Sequence, residues 1–139
     1  MEMKPGEEWG YLKHIPVFAH LPEEQLKEIH HYTKVRQVAK GSTIFWEGEP
    51  GEGFHYVKSG KVKIVKMSDD GREHIIKILN AGELFAEVLL FTTVPYPATA
   101  VAVENSQIGV IPNSDLEKLV LNNNSLALEL IKALSEKLV

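Results

Sequence analysis

The sequence contains no cysteine. That excludes disulfides, thiol redox sensing and any thiolate-ligated iron–sulfur, haem or zinc site. No apolar run approaches the ~20 residues that a membrane-spanning helix requires. The first residues, MEMKPGEEWG, lack the basic-then-apolar order of a signal peptide, so the expected compartment is the cytoplasm, with no membrane partner. Dense basic clusters are also missing. With a net charge of −4, the chain by itself has no grip on DNA phosphates. His14, His20, His30, His31, His55 and His74 form no His-Glu-x-x-His pair, and no Gly-x-Ser-x-Gly elbow occurs. A cupin metal site needs His-x-His followed by Glu, but PGEGFHYVKSG supplies only His55, and one imidazole does not hold a catalytic metal. Glu47, Glu49 and Glu52 make an acidic loop too sparse in ligands for calcium. The expectation is a non-enzyme with no catalytic residues, no metal and no cofactor.

What remains is ordinary for a globular protein. The 139 residues, 44% of them hydrophobic, fit one domain spanning 1–139 with a core of its own. Three zones follow one another. Residues 1–32 read as short helices: Leu12, Ile15 and Phe18 recur at about one turn, as do Leu26 and Ile29. Pro22 followed by Glu23 and Glu24 reads as a first helical turn, with acids near the positive dipole end. Residues 33–112 alternate β-branched and polar residues between regularly spaced glycines, which predicts many short strands in a sandwich, roll or barrel. KVKIVKMSDDGREHIIKIL reads as a hairpin turning at Asp70-Gly71, and VAVENSQIGVIP as a second one through Glu104-Asn105-Ser106. Residues 113–139 are helical again. Asn113 or Ser114 is the expected N-cap of one helix, with Glu117 completing a capping box. A second helix is expected to start near Ser125. Ala127, Ile131, Leu134 and Leu138 share one of its faces, and Leu126 and Leu130 widen the apolar arc. A helix that stops mid-pattern at Val139 leads us to expect either a continuation or a partner helix beside it.

The segment GELFAEVLLFTTVPYPATAVA has two readings. Gly82-Glu83 ends a strand in a turn, and FAEVLLF leaves room for about two helical turns. A helix start there presents free N–H groups to an anion, and the small Ala98 and Thr99 let another backbone approach. Alternatively, Val88, Leu89, Leu90 and Phe91 simply plug the end of the roll. The residues alone leave both open.

Phe85-Ala86-Glu87-Val88-Leu89-Leu90 and Pro95-Tyr96-Pro97-Ala98-Thr99, together with the glycine-punctuated KGSTIFWEGEPGEGFHYVKSGKVKIVK, resemble the cyclic-nucleotide-binding domain of the Crp/Fnr family of bacterial regulators. The resemblance covers nearly the whole chain. It implies a mainly β fold, a double-stranded β-helix or jelly roll, with N-terminal helices, a phosphate-binding cassette over 82–99 and a C-terminal dimerisation helix. By resemblance, the ligand-binding positions are Gly82, Phe85, Ala86, Glu87, Val88, Leu89, Tyr96, Pro97, Ala98 and Thr99. Glu87 stands where family members hold the ribose 2′-hydroxyl, and Tyr96 stands where an arginine pairs with the cyclic phosphate. Ala86 replaces a glycine.

Exchanging a charged hydrogen-bond partner for a neutral phenol costs roughly 1.5–3 kcal/mol, one to two decades of affinity. Pro97 holds Tyr96 extended, so the ring is expected in or over the cavity. The resemblance therefore implies the effector-sensing domain of a transcriptional regulator. Its ligand would be a small molecule other than standard cyclic AMP, seated between the roll and the C-terminal helix. Three further readings are a genuine cyclic-nucleotide module, a ligand-free scaffold and a cupin-type enzyme. Ala127, Ile131, Leu134 and Leu138 either join a two-fold mate in a parallel coiled coil, giving a homodimer, or pack on their own roll. DNA would be contacted only through a domain absent from this chain.

Overall fold

The computed structural model describes residues 8–86, 92 and 94–138. A 3₁₀ helix, Glu8–His14, opens the described chain. Trp9 and Leu12 are both buried on it and lie three residues apart, the period at which 3₁₀ side chains eclipse, and Ile15 and Phe18 are buried in the turns that follow. Helix α1, Glu23–Tyr32, follows with Pro22 as its N-cap. Pro22 lacks only a donor that a helix start leaves unpaired anyway.

Eight strands come next. They are β1 (Lys34–Val38), β2 (Thr43–Phe45), β3 (Gly53–Ser59), β4 (Lys61–Met67), β5 (Glu73–Asn80), β6 (Leu84–Phe85), β7 (Thr99–Ala102) and β8 (Ser106–Pro112). They form two four-stranded sheets, ordered β1-β8-β3-β6 and β2-β7-β4-β5, with antiparallel pairing throughout. This is the expected β-roll.

The first predicted hairpin forms, with β4 pairing β5. Its turn is longer than Asp70-Gly71 alone. Ser68 N–H donates to Arg72 O at 2.8 Å and Gly71 N–H to Ser68 O at 2.9 Å, and only Gly71 has positive φ. That is a three-residue loop closed by a left-handed glycine. The second predicted hairpin is not one. β7 pairs with β2 and β4, whereas β8 pairs with β1 and β3, so residues 103–105 carry the chain from one sheet to the other. Alternation shows where strands run but carries no information about which sheet receives them.

The two inner strands serve two cores. On β3, Phe54 and Tyr56 face the helices, while His55 and Val57 face the space between the sheets. On β8, Ile111 joins the helix-facing core, and Ile108 and Val110 join the inter-sheet core. The period of two that divides polar from apolar on an ordinary strand here divides one core from another.

Helix α2, Asn113–Leu121, is capped by Pro112 with no side-chain hydrogen bond, so the capping box does not form. Asn113 instead turns its Nδ2 to Thr92 O at 3.3 Å. Helix α3, Asn124–Lys137, begins one residue before the expected start. Asn123 is its N-cap, with Oδ1 accepting from Leu126 N–H at 3.0 Å. Leu126 and Leu130 are buried against the roll, whereas Ile131 is 59% and Leu138 89% exposed. Leu134 is exposed as well, and Ala127 half-buried. The arc read from the sequence is therefore two surfaces: one packs on the domain, and the other does not.

Candidate functional site

A cavity of about 180 Å³ opens where the inter-sheet core reaches β6. Phe45, Ile64, Ile76 and Leu79 line it from the β2-β7-β4-β5 sheet, and Leu84 and Phe85 from β6. Ala86, Pro97 and Ala98 close it on the cassette side. Lys77 of β5 and Lys137 of α3 complete the lining. Lys137 Nζ also donates to Leu84 O at 3.3 Å, which ties the end of the exit helix to β6 at the cavity rim. Among the described lining residues, these two lysines carry the only polar side-chain groups.

Ala86 has a φ of 61°, the only positive φ at a non-glycine residue among the described residues. A β-carbon in that region costs roughly 1–2 kcal/mol. The backbone therefore turns left-handed at Ala86, the position where the resemblance implies a glycine, and carries strain to do so.

Tyr96 stands elsewhere than the sequence predicted. It does not line the cavity. It is 3% exposed, and its ring lies flat on Phe45, with centroids 3.8 Å apart and planes 5° from parallel. Its hydroxyl accepts from Glu52 N–H at 2.9 Å. Its backbone N–H donates to Glu49 O at 3.0 Å, and its carbonyl accepts from Gly48 N–H at 2.8 Å. Pro95 and Pro97 have no N–H, so within Pro95-Tyr96-Pro97 only Tyr96 has a backbone donor to offer the 46–52 loop. Desolvation by burial raises the phenol's pKa, which keeps it neutral. Its outer surroundings are a groove shared with Arg36, Glu49 and Glu52. Arg36 faces that groove and not the cavity, and its Nη1 donates to Ile44 O at 3.1 Å.

Of the remaining sequence-selected positions, Phe85, Ala86, Pro97 and Ala98 come together on the cavity wall. Gly82 borders an adjoining surface depression between the 3₁₀ end and α3. Thr99 is buried on β7, where its Oγ1 accepts from Glu47 N–H at 2.9 Å. Glu87, Val88 and Leu89 lie outside the described residues, as does most of the short helix expected across 85–91; at its expected start Phe85 is in strand β6 and Ala86 has a left-handed φ.

Sequence reasoning missed Phe45, Ile64, Ile76, Lys77, Leu79, Leu84 and Lys137. Ile64 and Leu79 carry the inward phase of the hairpin alternation, so their side was legible. The partner wall was not, because it comes from strands distant in sequence.

His55 is wholly buried behind the cavity wall. Its ring meets Phe45 and Phe85, each at 5.2 Å, and Tyr96 at 5.9 Å. Nδ1 sits 2.9 Å from Gly53 O, while Nε2 meets no hydrogen-bond partner among the described residues. Desolvation by burial lowers its pKa to about 4, so the ring is neutral in the folded protein at pH 7. Among the described residues, no group of three or more His, Asp or Glu could hold a metal ion, and no helix is long and apolar enough to cross a membrane.

Residues 35–123 match the cyclic nucleotide-binding domain family. The cyclic AMP receptor protein of Thermus thermophilus is 31% identical over 129 residues, which cover 90% of this chain and 60% of that protein. The CRP-like cAMP-activated global transcriptional regulator of Mycobacterium tuberculosis is 28% identical over 71% of this chain and 44% of its own length. The chain thus spans about half the length of these relatives. The sensor domain of the transcriptional regulator DNR from Pseudomonas aeruginosa superposes with a TM-score of 0.80 at 35% identity, covering 93% of this chain and 87% of that domain. The match across the strands, joined to a roll that superposes on a regulator's sensor domain, makes this chain a member of the cyclic nucleotide-binding domain family, akin to the Crp/Fnr-type regulators.

Proposed function

We propose that this chain is the effector-sensing and dimerising domain of a Crp/Fnr-type transcriptional regulator. The observation that carries the reading is the position of Lys137. One side chain lines the cassette cavity and also anchors the end of α3 to β6. A ligand entering the cavity meets the exit helix directly. Any difference in its affinity for two placements of that helix biases the equilibrium between them.

The exposed face of α3 supplies the output. Ala127, Ile131, Leu134 and Leu138 pair with the same residues of a second copy, because an apolar stripe left open to water is best covered isologously. Sedimentation equilibrium tests this. The chain is expected as a dimer, and Ile131→Lys with Leu138→Lys as a folded monomer. DNA is contacted through a separate domain of the whole regulator.

Standard cyclic AMP is not the effector in this reading. An anion placed at Tyr96 would meet a neutral phenol whose hydroxyl already accepts from Glu52 N–H, with Glu49 and Glu52 nearby. Calorimetric titration with cyclic AMP and cyclic GMP is expected to show no binding at micromolar concentration. A micromolar or tighter fit would promote the second reading, a genuine cyclic-nucleotide module. One observation favours that alternative: Lys77 and Lys137 could neutralise a cyclic phosphate in place of the missing guanidinium.

A further inference from the structure

We propose that the cavity's ligand is a small apolar carboxylic acid, with its hydrocarbon body between the sheets and its carboxylate on Lys77 and Lys137. The inference rests on reading this cavity as the effector site. Three observations carry it.

The first is the lining. Aside from the two lysines, every described lining side chain is hydrocarbon, from Phe45 and Ile64 to Leu84 and Ala98. None is a hydroxyl, amide or carboxylate. Against the described lining, a purine edge or a ribose would find no side-chain acceptor for its donors, a penalty for each group left unpaired. A chain or a plain ring incurs none.

The second is size. A dry cavity of about 150 Å³ takes a benzene ring. The cavity here is about 180 Å³ and opens to solvent, which suits a ligand of about ten non-hydrogen atoms whose polar end stays at the mouth.

The third is sign. The polar side-chain termini of the described lining are ammonium groups from two different elements, β5 and α3. Glu83 and Glu136 border the neighbouring depression that these lysines also touch, but they do not line the cavity. A carboxylate is a stronger acceptor for an ammonium than a backbone carbonyl. A bound acid therefore competes with the contacts Lys137 already makes, Leu84 O among them, and that exchange is how occupancy would reach the exit helix.

The probes are sodium octanoate, its neutral counterpart 1-octanol, and cyclic AMP. Each is titrated into the 139-residue chain by calorimetry, with the methyl resonances of Ile64, Ile76 and Leu79 followed in parallel. Octanoate is expected to bind about fivefold more tightly than octanol, the scale of a partly solvated ion pair, and to shift those methyls. Lys137→Met and Lys77→Met change exposed side chains, and thermal melts check that each variant stays folded. Together they are expected to bring octanoate down to the affinity of octanol. Equal binding of octanoate and octanol to the parent chain would overturn the acid, as would a preference that survives both substitutions. Cyclic AMP shifting the same methyls at micromolar concentration, with octanoate inert, would overturn the apolar acid and leave the effector site standing. If no probe moves the methyls, both this inference and the effector-site reading fall.

Discussion

The two cores of this domain are built to different standards. The helix-facing core gathers Leu12, Phe18, Ile29, Phe54, Tyr56, Leu116 and Leu126, all essentially without exposure. Its deepest polar group is satisfied: Tyr56 Oη lies 2.8 Å from Tyr11 Oη and 3.4 Å from Thr33 Oγ1, whereas Trp9 Nε1, nearer the surface, meets no hydrogen-bond partner among the described residues. Gly109 lets the Tyr56 ring lie against the β8 backbone, because a β-carbon there would overlap the ring. The inter-sheet core has the same apolar composition but contains the cavity, the strained Ala86 and a buried imidazole whose Nε2 has no partner among the described residues. One core is filled, and the hydroxyl at its centre is paired. The other has been left incomplete beside the cassette, and incompleteness of this kind is what a ligand can exploit.

The sharpest way to break the comparison is Gly109→Ala. The helix-facing core has no slack for a methyl under Tyr56, so a loss of about 3 kcal/mol or more is expected, measured by urea denaturation. A loss below 1 kcal/mol would mean that this core is as loose as the other.

Next in size is the pH response of His55. Its folded pKa is about 4, against roughly 6.5 in an unfolded chain. Between those values the unfolded state binds the additional proton. The stabilisation from a neutral His55 is therefore complete above about pH 6.5 and is lost as pH falls towards 4, for a total of about 3 kcal/mol. Stability measured across that window should flatten in His55→Gln. An unchanged slope would assign the titration to other groups.

Tyr56→Phe removes one hydroxyl from the network and leaves that of Tyr11 with His30 Nδ1 at 3.3 Å but without its closer partner. A loss of about 1–2 kcal/mol is expected.

The smallest expected effect has the opposite sign. Ala86→Gly relieves a positive φ in the incomplete core and should stabilise the fold by about 0.5–1 kcal/mol, net of the entropy that glycine adds to the unfolded chain. Destabilisation would show that the Ala86 methyl, which lines the cavity, contributes more in contacts than its strain costs.

Much of this architecture is legible residue by residue. The spacing of Leu12, Ile15 and Phe18 marks a buried helical edge, and all three are buried. The alternation through Val62 and Ile64 gives β4, and Asp-Asp-Gly gives its turn. The cassette residues Phe85, Ala86, Pro97 and Ala98 can be picked out by resemblance, and they meet at one cavity. Tyr96 shows where legibility ends. Its flanking prolines fix the backbone, but the direction of the ring depends on Phe45 and the 46–52 loop, some fifty positions away. The opposite fates of Leu130 and Ile131 are hidden for the same reason. Both are apolar neighbours on one helix, and only the placement of the roll decides which is covered.

The sequence by itself determined the elements of this protein: where apolar residues recur at three to four or at two, where glycine and proline interrupt them, and which family's cassette they compose. These are local quantities, set by backbone sterics and by the distance between neighbouring side chains. Tertiary structure alone decided that β7 and β8 part into different sheets, that Tyr96 lies flat on Phe45 outside the cavity, and that Lys137 reaches from the last helix to its rim. Each of those outcomes joins residues far apart in the chain, and their encounter depends on how two sheets and a helix close around a shared interior, which no local period encodes.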